Sequence, residues 1–396
     1  MGWQTLKTEL YDSILSRCEG AVYVFDADML RERTAKIRAA MPENVSLCYA
    51  VKANTFIIKE LIGSVDRFEI CSPGEERICE RLGVPSEMMV ISGVYKTPSV
   101  IEKTVADKGF AGTFTVESLL QFEQLCEYSQ KYGSNIRVLL RLTNDSQFGI
   151  NEEDIENIIS RRTEYGNVEF SGIQYFSGTQ KTSVKKLRRE IEKLDAFLAC
   201  LGEKYGYVAK ELEYGTGFPV SYYEGEDFDE DDYFATFSEM LCGMKTKVHI
   251  TLEIGRSIAA SCGKYFTHIV DTKCNKGQNY ALCDGGMHQI VYFGQYMAMK
   301  RPSMSLYSKA PQGDKKWNVC GSLCSMNDII VKEAPLGEIE AGDVLCFNNT
   351  GAYCPTEGMS LFLSRDIPAV YIISRGKISE VRKAFETCAL NTPDYN

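Results

Sequence analysis

Between about residues 45 and 255 the chain alternates, eight times over, a short apolar and β-branched run with a longer segment of helical periodicity. The strand runs are 45–51, 67–71, 88–91, 111–116, 136–142, 168–176, 211–214 and 247–254. Pro73-Gly74-Glu75-Glu76 opens one of the helices with acidic residues in its first turn, and Gly83 marks its end. Residues 117–132 set Leu119, Leu120, Phe122, Leu125 and Tyr128 on one stripe, and 184–205 carries a comparable stripe. Eight βα units in about 210 residues suit an α/β fold closed as a (β/α)8 TIM-type barrel. An open, doubly wound sheet is the runner-up, because alternation alone does not decide closure.

After about residue 260 the pattern changes. The strand runs 265–272, 279–283, 343–347 and 369–373 follow one another without long helices, separated by Gly, Pro and Asn. They predict a second, mostly antiparallel β-domain completed by residues 21–25. The expected division is therefore a barrel over 26–260 and a β-domain over 1–25 and 261–396. No Pro- or Ser-rich linker separates the two, so they should pack closely.

Composition narrows the partners. With 44% hydrophobic and 25% charged residues in 396, the chain reads as globular and large enough for two cores. A net charge of −10 offers no basic face to nucleic acid or an anionic membrane. No apolar stretch approaches bilayer length, and Met1–Lys7 lacks a signal-peptide layout. The fifteen cysteines are odd in number and mostly sit in apolar runs (Cys48, Cys71, Cys200, Cys283), with no C-x-x-C pair. Reduced thiols and a cytoplasmic location are expected. The acidic run 224–232 lacks EF-hand spacing and reads as a solvated loop, and no histidine completes a metal pair at Cys320 and Cys324. No metal is expected.

In such a barrel the chemistry gathers where strands end. Those ends offer Lys52, Ser72, Gly93, Glu117, Arg141, Phe176 with Gly178-Thr179, Gly215-Thr216-Gly217, and Glu253 with Arg256. An amine held partly out of water is nucleophilic and can form a Schiff base with an aldehyde. Glycines let backbone N–H groups approach phosphate oxygens, and an arginine adds charge. A buried glutamate can keep a ring nitrogen protonated, and a phenyl ring can stack. Singly, each has a plainer reading as a surface lysine, a loop or a rim salt bridge. Their joint order after eight strands points to a phosphorylated aromatic aldehyde.

With these residues in place, the chain resembles the fold-type III pyridoxal-phosphate decarboxylases, the diaminopimelate, ornithine and arginine decarboxylase group, over nearly its whole length. Tyr49-Ala50-Val51-Lys52-Ala53-Asn54 matches that family's cofactor-lysine motif, which implies that Lys52 holds pyridoxal 5'-phosphate. Phe68-Glu69-Ile70-Cys71-Ser72 with Glu75 is similar to its Phe-Asp-x-Ala-Ser-x-x-Glu segment. Glu253-Ile254-Gly255-Arg256 resembles its Glu-Pro-Gly-Arg, implying Glu253 on the pyridine nitrogen and Arg256 on the phosphate. Gly178-Thr179-Gln180 and Gly215-Thr216-Gly217 resemble its phosphate turns, and Arg141 its active-site arginine. Residues 319–328 resemble its Gly-Pro-x-Cys-x-x-x-Asp run, and Gly351-Ala352-Tyr353 its phosphate-contacting tyrosine. The resemblance implies a head-to-tail homodimer in which Cys324 comes from the neighbour and helps to protonate the substrate carbanion. Ser325, Asp328 and Tyr292 would then face substrate.

The departures concern substrate. The family stacks a histidine where this chain has Phe176, which carries no proton. Diaminopimelate-binding members place an acid after the cysteine, where Ser325 stands, and an arginine in a stretch corresponding to 284–295, which has none. A charged hydrogen bond is worth roughly 1.5–3 kcal/mol, and an unmatched buried charge costs more. Free meso-diaminopimelate and free basic amino acids such as ornithine should therefore bind poorly. The chain is similar to a branch with Phe-x-Gly-Thr-Gln and Asp-Gly-Gly-x-His signatures that includes the decarboxylase of carrier-protein-bound glutamate in butirosin biosynthesis. A modified or carrier-tethered amino acid is the expected substrate. An alanine-racemase type enzyme would want an arginine at the pyridine nitrogen, where Glu253 stands. A non-catalytic pyridoxal-phosphate-binding regulatory homologue would not need Lys52, Arg256 and Cys324 together.

Overall fold

A computed structural model describes residues 3–307 and 309–394. It divides into two compact units. One comprises Arg33–Pro219 and Asp229–Ile258; the other comprises residues up to Glu32, Val220–Phe228, and everything from Ala259 onward. Residues 26–32, 220–228 and 259–260, placed within the barrel on sequence grounds, thus cluster with the second unit.

In chain order β1 (Val22–Asp26) comes first and belongs to the second unit. The first unit holds β2 (Val45–Ala50), β3 (Arg67–Ile70), β4 (Met89–Ile91), β5 (Thr113–Val116), β6 (Ile136–Leu142), β7 (Val168–Phe176), β8 (Glu211–Gly215) and β9 (His249–Ile254). Each runs parallel to the next, and β9 pairs back to β2 with Cys48 opposite Glu253, so the barrel closes. Closure disposes of the open sheet. The strands are buried on both faces, as parallel strands under a helical layer must be. Their helices are stopped where the sequence marks them. Ser118 and Ser183 accept the N–H groups that open Leu119–Tyr132 and Val184–Tyr205, and Gly133 and Gly206 end those helices in the left-handed region.

One loop expectation is corrected. Residues 224–229 form the expected loop, but Glu230–Cys242 is a helix, capped by the Asp229 carboxylate, so the end of the acidic run, Glu230, Asp231 and Asp232, supplies its first turn. Acids there meet the positive end of the helix dipole. Glu230 is further held by both Arg33 terminal nitrogens and by Lys36.

The second unit adds β10 (Gly263–Asn275), β11 (Gln278–Cys283), β12 (Met304–Leu306), β13 (Lys316–Cys320), β14 (Ile329–Pro335), β15 (Val344–Asn348), β16 (Ala369–Ser374) and β17 (Lys377–Arg382). With β1 they form a nine-stranded sheet, ordered β14-β13-β11-β10-β1-β16-β17, with β15 also paired to β10 and β12 to β15. Pairing is antiparallel except between β1 and β16 and between β11 and β13. A core of Tyr11, Ile14, Val22, Val24, Phe266, Tyr371 and Ile373 joins the N-terminal helix to this sheet. Among the described residues no helix is long and apolar enough to cross a membrane.

Candidate active site

Lys52 lies in a single 3-10 turn, Val51–Ala53, immediately after β2. The next residue, Asn54, fixes that turn: its side chain accepts the Phe56 N–H, and its carbonyl accepts the Tyr49 hydroxyl. The lysine Nζ is thereby held 2.6 Å from Glu69 Oε2, 3.2 Å from Glu253 Oε1 and 3.8 Å from Cys71 Sγ. Its side chain is 36% exposed while the two carboxylates are 2% and 5% exposed. The amine therefore bridges buried charge and open space.

Two acids facing one amine cannot both ionise freely. Burial first, and then the Glu69 charge, push Glu253 above the usual carboxylate range. Burial is the largest single effect on Glu69 too, but the Lys52 charge, the hydrogen bonds from Glu253 and Lys52 and the Arg141 charge together outweigh it and hold Glu69 low. A second cation beside Glu253 would let it release its proton, and the N–H of a pyridinium ring is such a cation. Gln174, fully buried on β7, donates its Nε2 to Glu253 Oε2 at 3.2 Å.

The ends of β7 and β8 form one tight assembly. A Cβ on Gly215 would fall 2.3 Å from the Phe176 ring, so the ring lies directly on that backbone. Gly217 has φ +59°, and a Cβ there would fall 2.2 Å from the Gly178 carbonyl oxygen. Gly217 in turn accepts the Lys181 N–H at 2.9 Å, zipping the two turns together. Arg256, nearly buried, donates its Nε to Thr179 Oγ1 at 3.2 Å. Behind the ring, Lys181 Nζ donates to Glu190 at 2.9 Å, and Glu190 also accepts from Ser177 and Tyr214. A backbone free of side chains, beside a hydroxyl and a guanidinium, matches a phosphate. Together with the amine and the pair of buried acids, it fits pyridoxal phosphate.

Other expected residues are used differently. Ser72 is the N-cap of Pro73–Arg81, its hydroxyl accepting the Glu75 N–H. Arg141 donates to Glu117 at 2.8 Å and lies 4.8 Å from the Phe148 ring. Its Nε and Glu117 Oε1 have no hydrogen-bond partner. Arg141 thus remains poised at the barrel mouth.

The remaining candidates belong to the second unit. Cys324 is exposed, but so are Cys242, Cys274 and Cys388, so exposure does not single it out. Ser325 is half-buried beside it. Asp328 and Tyr292 are both engaged within their own unit. Asp328 is buried and accepts the Met287 and Leu323 N–H groups, pinning the loop that carries Cys324. Tyr292 is buried with its hydroxyl donated to the Asn348 carbonyl. Tyr353 sits at φ +66°, a strained conformation for an aromatic residue and of a kind that concentrates at functional sites.

Sequence reading missed Gln174, Lys96 and the support behind Phe176. Lys96 is buried, donates to the Gly93 carbonyl and to Gln121 Oε1, and is pulled down to about 8 by burial. A polar residue inside an apolar strand run was the available signal for Gln174.

Residues 27–260 match the family model of the pyridoxal-dependent decarboxylase, pyridoxal binding domain. The diaminopimelate decarboxylase of Aquifex aeolicus is 26% identical over 386 residues, covering 91% of this chain and 88% of that protein. The L-glutamyl-[BtrI acyl-carrier protein] decarboxylase of Niallia circulans is 23% identical, covering 94% and 92%. The solved structure of Helicobacter pylori diaminopimelate decarboxylase complexed with L-lysine superposes with a TM-score of 0.84 at 22% identity, covering 96% of this chain and 98% of that one.

Proposed function

This chain belongs to the pyridoxal-dependent decarboxylases, and we propose that its substrate is an amino acid modified or carrier-tethered at its side-chain end. The chain is a pyridoxal-phosphate-dependent amino-acid decarboxylase; the proposal concerns which amino acid it takes. One observation carries it. The two segments that would grip a charged distal group have no carboxylate or guanidinium to spare. Asp328 is buried under its loop, Asp284 is engaged by His268 and Thr267, and Ser325 stands where an acid would be needed. A buried ammonium or carboxylate left without a counter-charge costs several kcal/mol. An amide or ester at that end carries no charge to match. The Niallia relative, named for a carrier-bound glutamyl substrate, is consistent with this.

Bound pyridoxal phosphate supplies the electron sink for the pair left at Cα when carbon dioxide departs. Lys52 would hold the cofactor covalently, with Glu253 beside its ring nitrogen and Glu69 keeping the lysine in place. Gly178, Thr179, Gly215, Gly217 and Arg256 would hold the phosphate. Phe176 would cover a ring face and exclude water, without offering a proton of its own. Cys324 of a partner subunit in a head-to-tail homodimer would return the proton to Cα.

The test is carbon dioxide release from free diaminopimelate, ornithine and lysine, set against glutamate amidated at its side chain or thioester-linked to a carrier. Release only from the masked substrates is expected. Release from free diaminopimelate at a comparable kcat/KM would refute the proposal.

A further inference from the structure

We infer that Glu213 is a positioning residue for Glu253, acting through the side-chain amide of Gln174. The inference rests on the reading of Glu253 as the acid that faces the cofactor's ring nitrogen.

Three neighbouring strands set the geometry. Glu213 on β8 lies in register with Gln174 on β7 and with Thr251 on β9, and two residues later Gly215 lies opposite Glu253. In-register residues of parallel neighbours stand about 5 Å apart and point to the same face. Glu213 and Gln174 are both completely buried. Neither Glu213 oxygen has a hydrogen-bond partner, and the Gln174 Oε1 has none either. Gln174 Nε2 is already committed to Glu253 Oε2.

A carboxylate in such a place, unpaired, would be costly. A neutral carboxyl is not, provided its single O–H finds an acceptor. The unused Gln174 oxygen is an acceptor next door. A bond from Glu213 to that oxygen completes a chain from Glu213 through the amide to Glu253.

The chain has a direction. With Glu213 protonated, the amide oxygen turns toward Glu213 and the amide N–H2 toward Glu253. With Glu213 ionised, the amide would reverse, setting its oxygen against Glu253 and working against the ionised form needed beside a ring N–H. The surroundings favour the protonated state. Burial raises Glu213 well above the usual range, and Glu211, Glu253 and Glu69 push the same way while Arg67 opposes. Cys48, the other titratable group facing it, is itself kept neutral by burial. Arg67 is mostly satisfied by Glu211, to which it donates at 2.6 Å.

The experiment uses holoenzyme of the wild type and of Glu213→Gln, Glu213→Met, Gln174→Leu, Glu213→Met/Gln174→Leu and Glu253→Gln. Three readouts are taken: cofactor dissociation, the pH dependence of the bound cofactor's visible band, and the infrared carbonyl stretch of protonated carboxyls at neutral pH. Glu213→Gln keeps an N–H donor for Gln174, so it should retain the wild-type band and affinity while losing one protonated-carboxyl stretch. Glu213→Met and Gln174→Leu should each weaken cofactor binding about tenfold, the worth of one charge-assisted hydrogen bond. They should also shift the band's pH midpoint in the same direction. The double variant should be no worse than either single one. A Glu213→Met enzyme with wild-type affinity and pH profile would overturn the inference, as would a Glu213→Gln enzyme that falls with Glu213→Met. Should Glu213→Met fail to fold, Gln174→Leu with the infrared measurement decides alone. A Glu253→Gln enzyme with an unaltered cofactor band would instead sink the parent reading of Glu253.

Discussion

At the scale of single residues, Lys52 and the acids around it divide the labour of one site. The amine is the group that can bond to an aldehyde, and the carboxylates keep it aimed. Lys52→Ala should remove both the visible absorbance of bound cofactor and all measurable carbon dioxide release, and retained turnover would overturn the scheme. The acids predict a pH dependence whose sign can be worked out. Glu213 and Glu253 are raised above their ordinary 4.5 by burial first and neighbouring carboxylates second. The folded chain therefore keeps protons that the unfolded chain has released above pH 4.5. Their stabilising contribution is complete below that value and is lost as pH rises through the raised values. Each proton contributes a slope of about 1.4 kcal/mol per pH unit in that window. Glu69, held low, acts only at more acid pH and does not cancel it. Denaturant unfolding of the cofactor-free chain should thus show stability falling from weakly acid toward neutral pH. Glu213→Gln should show a shallower fall, and an equal slope in both would contradict the assignment.

At the scale of elements, the helix Pro73–Arg81 shows how a site motif can be a folding signal. Its Ser72 cap accepts the Glu75 N–H at 3.2 Å, and the Glu75 carboxylate accepts the Cys71 N–H at 2.7 Å. Losing such a cap costs about 1 kcal/mol. Ser72→Ala should lower unfolding stability by about that amount with cofactor affinity unchanged, and Ser72→Asp should restore it. A drop in cofactor affinity without a drop in stability would return Ser72 to the phosphate. The barrel strands were legible because each is a compact apolar run between Gly, Pro or charged residues. Strands β12, β13, β14 and β17 were not. Lys316–Cys320 interleaves polar and apolar residues, and Lys377–Arg382 is almost wholly exposed, so neither shows a buried run. Glu230–Cys242 was hidden because three acids at a helix start resemble a solvated loop. Within the site, Lys52, Glu69, Glu253 and Arg256 announced themselves through local motifs. The partnership of Gln174 with Glu253 needs strand register, which no local pattern encodes.

At the scale of the whole molecule, the loop carrying Cys324 also carries Met326, which is 92% exposed. Tyr296 and Met299 in the same unit are 69% and 78% exposed. Apolar side chains so displayed suit a surface that another subunit covers. If the proposed head-to-tail homodimer completes each site with the neighbour's Cys324, then Lys52 and Cys324 of one working site come from different chains. Lys52→Ala and Cys324→Ala would then be complementary defects. Mixed and re-annealed in equal amounts, two nearly inactive proteins should regain about a quarter of wild-type activity. Half of randomly formed pairs are mixed, and each mixed pair holds one intact site. Recovery should follow the appearance of mixed dimers in native mass spectrometry. Mixed dimers that form without recovered activity would place both residues in one chain's site and exclude the shared arrangement.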